Sequence, residues 1–247
     1  MSSSASPLDN VVRKLGTRVE LNDDDRAAIL CLPFVVRTYA PSSHIVREDD
    51  PPQKYCDLIQ SGFAFRQKIT ALGARQIVSL HLAGDFLDLQ NLFLNVSDHD
   101  VQALTALATI GIERDALQQL TLQRPTIGRA MWIDALVDAS IYREWVMNVG
   151  RRDARSRIAH LLCELALRMK AAGLGTETRF ELPMTQEQLA DMVGLTSVHV
   201  NRTLKSLAAD GIVHRDRRFI GFSNWNDVSA LADFNALYLH LDQTRPD

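Results

Sequence analysis

The 247-residue sequence holds only three cysteines, Cys31, Cys56 and Cys163, far apart and with no Cys-x-x-Cys pair. That scarcity argues against a zinc or iron–sulfur site built on thiolates. It fits a reducing compartment, the cytoplasm, in which the thiols are expected to be free and buried. No run of about 20 apolar residues occurs, so no membrane span is expected. The opening stretch MSSSASPLDN lacks the basic region and apolar core of a secretory leader, and residues 1–20 are expected to be disordered or loosely ordered. No Ser/His/Asp order, phosphate-binding glycine loop or metal-ligand spacing stands out. An enzyme is therefore not expected, and no cofactor or metal is assigned.

What is present is an uneven charge and a change of periodicity along the chain. Residues 151–222 carry 12 Lys and Arg against 8 Asp and Glu, a balance of +4, while the remainder carries 15 against 22, a balance of −7. An acidic body with a more basic C-terminal piece suits a reader of DNA, because phosphate contacts need only local positive charge. An apolar content of 46% over this length allows two domains with real cores.

Residues 8–32 read as a helical lead-in, with Asn22 and the acids behind it as a start signal. Between residues 33 and 113 short runs follow one another: Phe34–Tyr39, His44–Arg47, Cys56–Gln60, Phe63–Lys68, Ile77–Leu82 and Val101–Ile112. Pro, Gly, Ser and Asp bound them, as expected of a β-sandwich or roll. From Arg114 the period becomes helical. Asp115–Gln123 fits a short helix, and Pro125 can occupy the first turn of a long one over 125–149, about 35 Å in length. Its apolar stripe (Ile127, Ala130, Val137, Ile141, Trp145), widened by Met131, Ile133, Leu136 and Val146, exceeds what one β-domain needs to cover. A second helix from a partner subunit is the reading adopted; a long helix lying wholly on its own domain is the alternative. Gly150 is expected to be a hinge, Asp153 to cap a helix over Ala154–Ala172, and residues 226–241 to form a last helix with Val228, Leu231, Phe234 and Leu237 inward.

The richest stretch is Pro183–Asp210. Thr185 is a plausible N-cap, and Leu189, Met192 and Val193 give one short helix its apolar stripe. Gly194 stands where a helix stops in a left-handed conformation. Thr196 caps a second helix whose Val200, Leu204 and Leu207 face inward. Gln186, Ala190, Gly194 and Val200 have the spacing of a helix-turn-helix. Ser197, Val198, Asn201, Arg202 and Lys205 are left facing out. Arg202 can grip guanine with two hydrogen bonds and Asn201 can pair with adenine or hold a phosphate, whereas a merely solvated helix face is the plainer alternative. Ile212–His214 and Phe219–Phe222 then alternate as a hairpin about Asp216-Arg217-Arg218, a wing with a basic tip for the phosphate backbone.

The chain resembles the family of the cyclic-AMP receptor protein and the fumarate–nitrate reduction regulator (Crp/Fnr). The resemblance rests above all on Gly194-Leu195-Thr196-Ser197-Val198-His199-Val200-Asn201-Arg202 and Leu204-Lys205-Ser206-Leu207. It implies an α+β chain: a cyclic-nucleotide-binding-like β-roll sensor over 21–124, a dimerisation helix over 125–149, and a winged-helix DNA-binding domain over 150–247. It implies base reading by Ser197, Val198 and Arg202; the residues themselves add Asn201 as a base reader, and Thr185, Thr196, His199, Lys205, Arg217 and Arg218 as phosphate contacts. Val198 stands where many members carry Glu, so a different target sequence is expected.

The cyclic-nucleotide site departs further. Members that bind cyclic AMP carry Gly–Glu shortly after Gly-Asp-Phe, then Arg–Ser or Arg–Thr. Here Asp88-Leu89 and His99-Asp100 fill those places of the effector pocket, and acids without an arginine repel a phosphate. Tight cyclic-AMP binding is not expected. The family's N-terminal cysteine cluster is absent. His44, His81 and His99 offer ligands for heme or a pH response, but isolated histidines in a β-roll usually serve neither.

The expectation is a homodimeric, cytoplasmic, sequence-specific transcription regulator. Its expected partners are double-stranded DNA bearing an inverted repeat, RNA polymerase, and an unknown small-molecule effector acting through the roll. The alternative is a ligand-binding or protein-interaction module whose winged helix does not read DNA.

Overall fold

A computed structural model describes residues 6–241. The chain divides into two compact units. The first takes in the chain up to Gln67 together with Leu80–Asp138, and the second takes in Lys68–Ser79 and Ala139–Leu241.

The first unit begins with α1 (Asp9–Gly16) and α2 (Asp23–Leu30). Residues 1–20, expected to be loose, are therefore corrected in part. Leu8, Val11 and Leu15 lie at 0% exposure within the same apolar cluster as Ile29, Leu58, Ile110 and Ile127. The helical lead-in read over residues 8–32 agrees with α1 and α2, so only the looseness expected of the chain before residue 21 is corrected. Residues 1–5 lie outside the described residues. At α2 the expected start holds, with the Asn22 side chain accepting from the Asp25 amide.

Seven strands build the roll: β1 (Phe34–Tyr39), β2 (His44–Val46), β3 (Tyr55–Ser61), β4 (Ala64–Ile69), β5 (Arg75–His81), β6 (Asp100–Ala103) and β7 (Leu107–Glu113). They form two antiparallel sheets, ordered β1-β7-β3 and β2-β6-β4-β5. The run Val101–Ile112, read as one segment, is two strands in different sheets. The crossing at Leu104–Ala106 is held where Phe63 donates its amide to Thr105 Oγ1 at 3.0 Å and accepts from the Leu104 amide at 2.8 Å. Gly62, at φ +90°, makes this corner possible, since a Cβ there would stand 2.3 Å from the Ala106 carbonyl oxygen. Ile45, Ile59, Ala64, Leu87, Val101 and Leu107 fill the space beside it.

Helix α3 (Arg114–Gln123) leads into α4 (Pro125–Arg151), 27 residues and about 40 Å long. Helix α4 runs through Gly150 rather than breaking there. A single interior glycine costs a helix only about 1 kcal/mol, and the break falls where Asp153 caps α5 (Ala154–Ala171) by accepting from the Arg155 and Ser156 amides. The helix end expected at Val149 thus lies two residues further on, at Arg151.

The second unit continues with β8 (Gly175–Thr176), β9 (Arg179–Glu181), α6 (Gln186–Val193), α7 (Ser197–Ala209), β10 (Val213–Asp216), β11 (Phe219–Phe222) and α8 (Trp225–Leu231). The strands form a sheet in the order β10-β11-β9-β8. Its core is Ile158, Leu162, Leu165, Phe180, Leu189, Val200 and Leu207, each at most 1% exposed. The final helix expected over 226–241 is shorter. It stops at Leu231, Asp233 turns left-handed at φ 48°, and a 3-10 turn follows at Ala236–Leu239. Leu237, expected inward, is 75% exposed, and Leu239 is buried in its stead.

Candidate nucleic-acid interface

The helix-turn-helix is assembled from local signals. Thr185 accepts from the Gln188 amide at 3.2 Å, and the Gln188 side chain accepts from the Thr185 amide at 2.9 Å, a reciprocal cap that fixes the start of α6. Gly194 closes α6 at φ 64° and ψ 41°. Thr196 then accepts from the His199 amide at 3.2 Å and starts α7. Met192 and Val193 on α6, with Val200, Leu204 and Leu207 on α7, are buried, and Ala190 is buried at 3% exposure.

That burial decides which side of α7 meets solvent. Ser197, Val198, Arg202 and Lys205 are exposed, with Val198 at 78%, while His199 and Asn201 are half-buried. Thr185 and Thr196 are exposed at the two helix starts, so both hydroxyls that cap the helices also lie at the surface. Among the described residues, Asn201, Arg202 and Lys205 have no side-chain hydrogen bond or ion pair. Their polar groups thus hold no protein partner that a base edge or a phosphate would have to displace.

The remaining basic residues of this unit divide sharply. On α5, Arg155 bonds Asp210 and Ser206, and Arg157 donates to the carbonyls of Val193 and Arg152 at 2.9 and 2.8 Å. Arg168 is spent on the buried Glu164, Lys170 on Glu177, and Arg152 on Glu144. These are structural ties, so the positive balance read from the sequence overstates the charge offered to a ligand. In the wing, Arg217 forms the turn between β10 and β11 at φ 53° and is exposed. Arg218 is exposed but lies 3.0 Å from Glu181 Oε1. Arg215, two residues before Arg217 on β10, is also exposed and without an ion pair among the described residues. Strand alternation puts it on the same face as the buried Val213, so its exposure was not legible in the sequence; it is left in solvent by its place beside the wing turn.

In the roll, the four residues expected at an effector pocket are engaged with their own chain. Asp88 is 3% exposed and accepts from the Asp57 amide at 3.3 Å. Burial, reinforced by the neighbouring Asp57 charge, pushes its carboxyl up to about 6. Leu89 begins a 3-10 turn and is half-buried. His99 bonds Asp98 through Nδ1 at 2.7 Å and meets Gln90 through Nε2 at 3.2 Å. Asp100 accepts from the Glu48 amide and from Gln67. Arg66 is the buried cation of this region, but it donates to the Leu87 carbonyl at 2.7 Å and lies 3.4 Å from Asp138. His44 is 4.0 Å from Asp100, and His81 is buried at 2% exposure. No group of three His, Cys, Asp or Glu residues suited to a metal occurs among the described residues. Of the thiols, Cys56 and Cys163 are buried as expected, whereas Cys31 is exposed.

Comparison with known proteins agrees with this geometry in both units. Residues 156–231 match the Crp-like helix-turn-helix domain, and residues 36–124 match the cyclic nucleotide-binding domain. The chain belongs to the Crp/Fnr family. It is 29% identical over 194 residues to the transcriptional activator protein FnrL of Cereibacter sphaeroides, covering 77% of each chain. Electron transport regulator A of Shewanella oneidensis is 24% identical over 217 residues, covering 82% of this chain and 86% of that one. The solved structure of FixK2 from Bradyrhizobium japonicum shares the fold at a TM-score of 0.74 and 24% identity, over 81% of this chain and 98% of that chain.

This Crp/Fnr protein is therefore a DNA-binding transcription regulator. No helix among the described residues is long and apolar enough to cross a membrane.

Proposed function

We propose that this regulator acts in the cytoplasm as a homodimer that reads an inverted repeat, placing two copies of α7 in successive major grooves about 34 Å apart. Ser197, Val198, Asn201 and Arg202 contact base edges. Thr185, Thr196, His199, Lys205, Arg217 and Arg218, joined by Arg215, contact phosphates. The observation that carries this reading is Arg202: exposed, without a partner among the described residues, and set on a helix whose opposite face is locked by Val200, Leu204 and Leu207. Val198 offers an apolar contact suited to a thymine methyl rather than an acceptor for cytosine.

The second subunit is supported by α4. Trp132, Leu136, Val146 and Met147 are 69%, 52%, 73% and 42% exposed, large apolar surface that one chain leaves in water. The roll is proposed to answer to an effector other than cyclic AMP, since Asp88 and Asp100 replace the groups a cyclic phosphate would need. RNA polymerase is the further partner expected of a regulator bound beside a promoter.

Selection of bound duplexes from a random pool tests the proposal. It should return an inverted repeat with half-site centres one helical turn apart. Recovery of sequences without a common half-site would refute it.

A further inference from the structure

The first unit has an opening lined by residues outside the strands of the roll. A cavity of about 930 Å³ is bounded by the chain between α1 and α2 and by the first turn of α4. Its wall includes Arg18, Arg26 and Arg129 against one acid, Glu20, with Gly16 and Thr126 between them. We propose that this cavity is a binding site for a small polyanion, a molecule carrying two or more phosphate or carboxylate groups.

Charge and satisfaction of bonds point to that ligand class. Arg18 is 8% exposed and its Nε donates to Asp134 at 2.8 Å, so its charge is balanced inside the protein and it serves to shape the wall. The other two arginines are not balanced. Arg26 is exposed and donates only its Nε, to the Leu21 carbonyl at 3.2 Å, which leaves the terminal nitrogens of its fork available. Arg129 is exposed and has no hydrogen bond or ion pair among the described residues. Two unpaired guanidinium forks on one cavity match planar, two-pronged recognition of carboxylate or phosphate. The positive end of α4 and the Thr126 hydroxyl act in the same sense. The volume falls in the range of small-molecule sites and exceeds what a single inorganic anion would fill.

The site would define the class of molecule that the sensor unit accepts. It does not depend on DNA binding, so its test can fail while the DNA-reading proposal stands. Isothermal titration of the full-length protein with ATP, with citrate and with inorganic phosphate separates nucleotide, polycarboxylate and simple-anion ligands. ATP or citrate is expected to bind with a Kd below about 1 mM and more tightly than phosphate. R26A/R129A, two surface substitutions, should weaken binding at least about tenfold with an unchanged melting temperature, and R129K should keep part of it. Saturation by neither ATP nor citrate below about 1 mM overturns the proposal, as does equal binding by the double variant. Phosphate binding as tightly as either would show a simple anion site and overturn the polyanion assignment.

Discussion

Arg155 ties the end of α7, the proposed recognition helix, to α5: its Nη2 is 2.6 Å from Asp210 Oδ2, and its Nη1 donates to Ser206 Oγ at 2.7 Å. Both partners on the α7 side lie in its last turn or at its C-cap, away from Ser197, Val198, Asn201 and Arg202, the residues proposed to contact bases. The helix is thus anchored at one end and left bare at the other. Both partners of the ion pair are more than a third exposed, so water screens it and its contribution to stability is at most about 1 kcal/mol. R155A should lower the melting temperature of the protein by only a few degrees. Its larger effect should be a several-fold loss of operator affinity in a gel shift, because α7 is held less rigidly. A loss of stability without any loss of affinity would show that the anchoring does not matter for DNA.

The wing turn separates conformational strain from charge. Arg217 sits at φ 53°, where a side chain costs about 1 kcal/mol and glycine costs nothing. R217G should therefore be at least as stable as the parent in thermal unfolding. It should nonetheless bind DNA more weakly and with a shallower salt dependence, the slope falling by about one for each phosphate the side chain would have neutralised. Unchanged salt dependence would remove Arg217 from the residues that touch the DNA backbone.

Asp88 carries a sign-definite pH effect. Its folded carboxyl titrates at about 6, above the value of about 3.9 for an unfolded Asp. Between these values the native state holds more proton than the unfolded chain, so the contribution of Asp88 to stability is fully present below pH 4 and is lost as pH rises through 6. D88N keeps an acceptor for the Asp57 amide and cannot ionise. It should raise stability by about 1–3 kcal/mol at pH 7.5 and change it little at pH 4. Equal effects at the two pH values would contradict this origin.

Periodicity and caps made the strands of the roll, the long helix and the helix-turn-helix legible in the sequence, down to Thr185, Gly194 and Thr196 as boundary residues. What was not legible has a common cause. The packing of α1, the crossing between sheets at Leu104–Ala106 and the spending of Arg155 and Arg157 on internal partners all depend on residues distant in sequence meeting in the fold. Helix propensity alone could not reveal that α4 runs through Gly150, because the break is decided by the stronger cap at Asp153. The candidate base-reading residues were legible because their exposure follows from the buried positions on the same helix. The engagement of His99 and Asp100 within the roll was not.

The exposed apolar residues of α4 make a prediction about assembly. Trp132 and Leu136 lie one helical turn apart, both exposed. L136E places a charge among them and should shift sedimentation from dimer to monomer. Affinity for a full inverted repeat should fall far more than affinity for a half-site. A variant that remains dimeric would move the interface elsewhere.

The most direct test of the account is competition between a selected operator and a scrambled duplex for the parent protein and for R202A. Loss of the Arg202 fork should cost about 1–3 kcal/mol of discrimination per half-site while salt-sensitive binding to the scrambled duplex persists. If R202A prefers the operator as strongly as the parent does, recognition by the exposed face of α7 is contradicted.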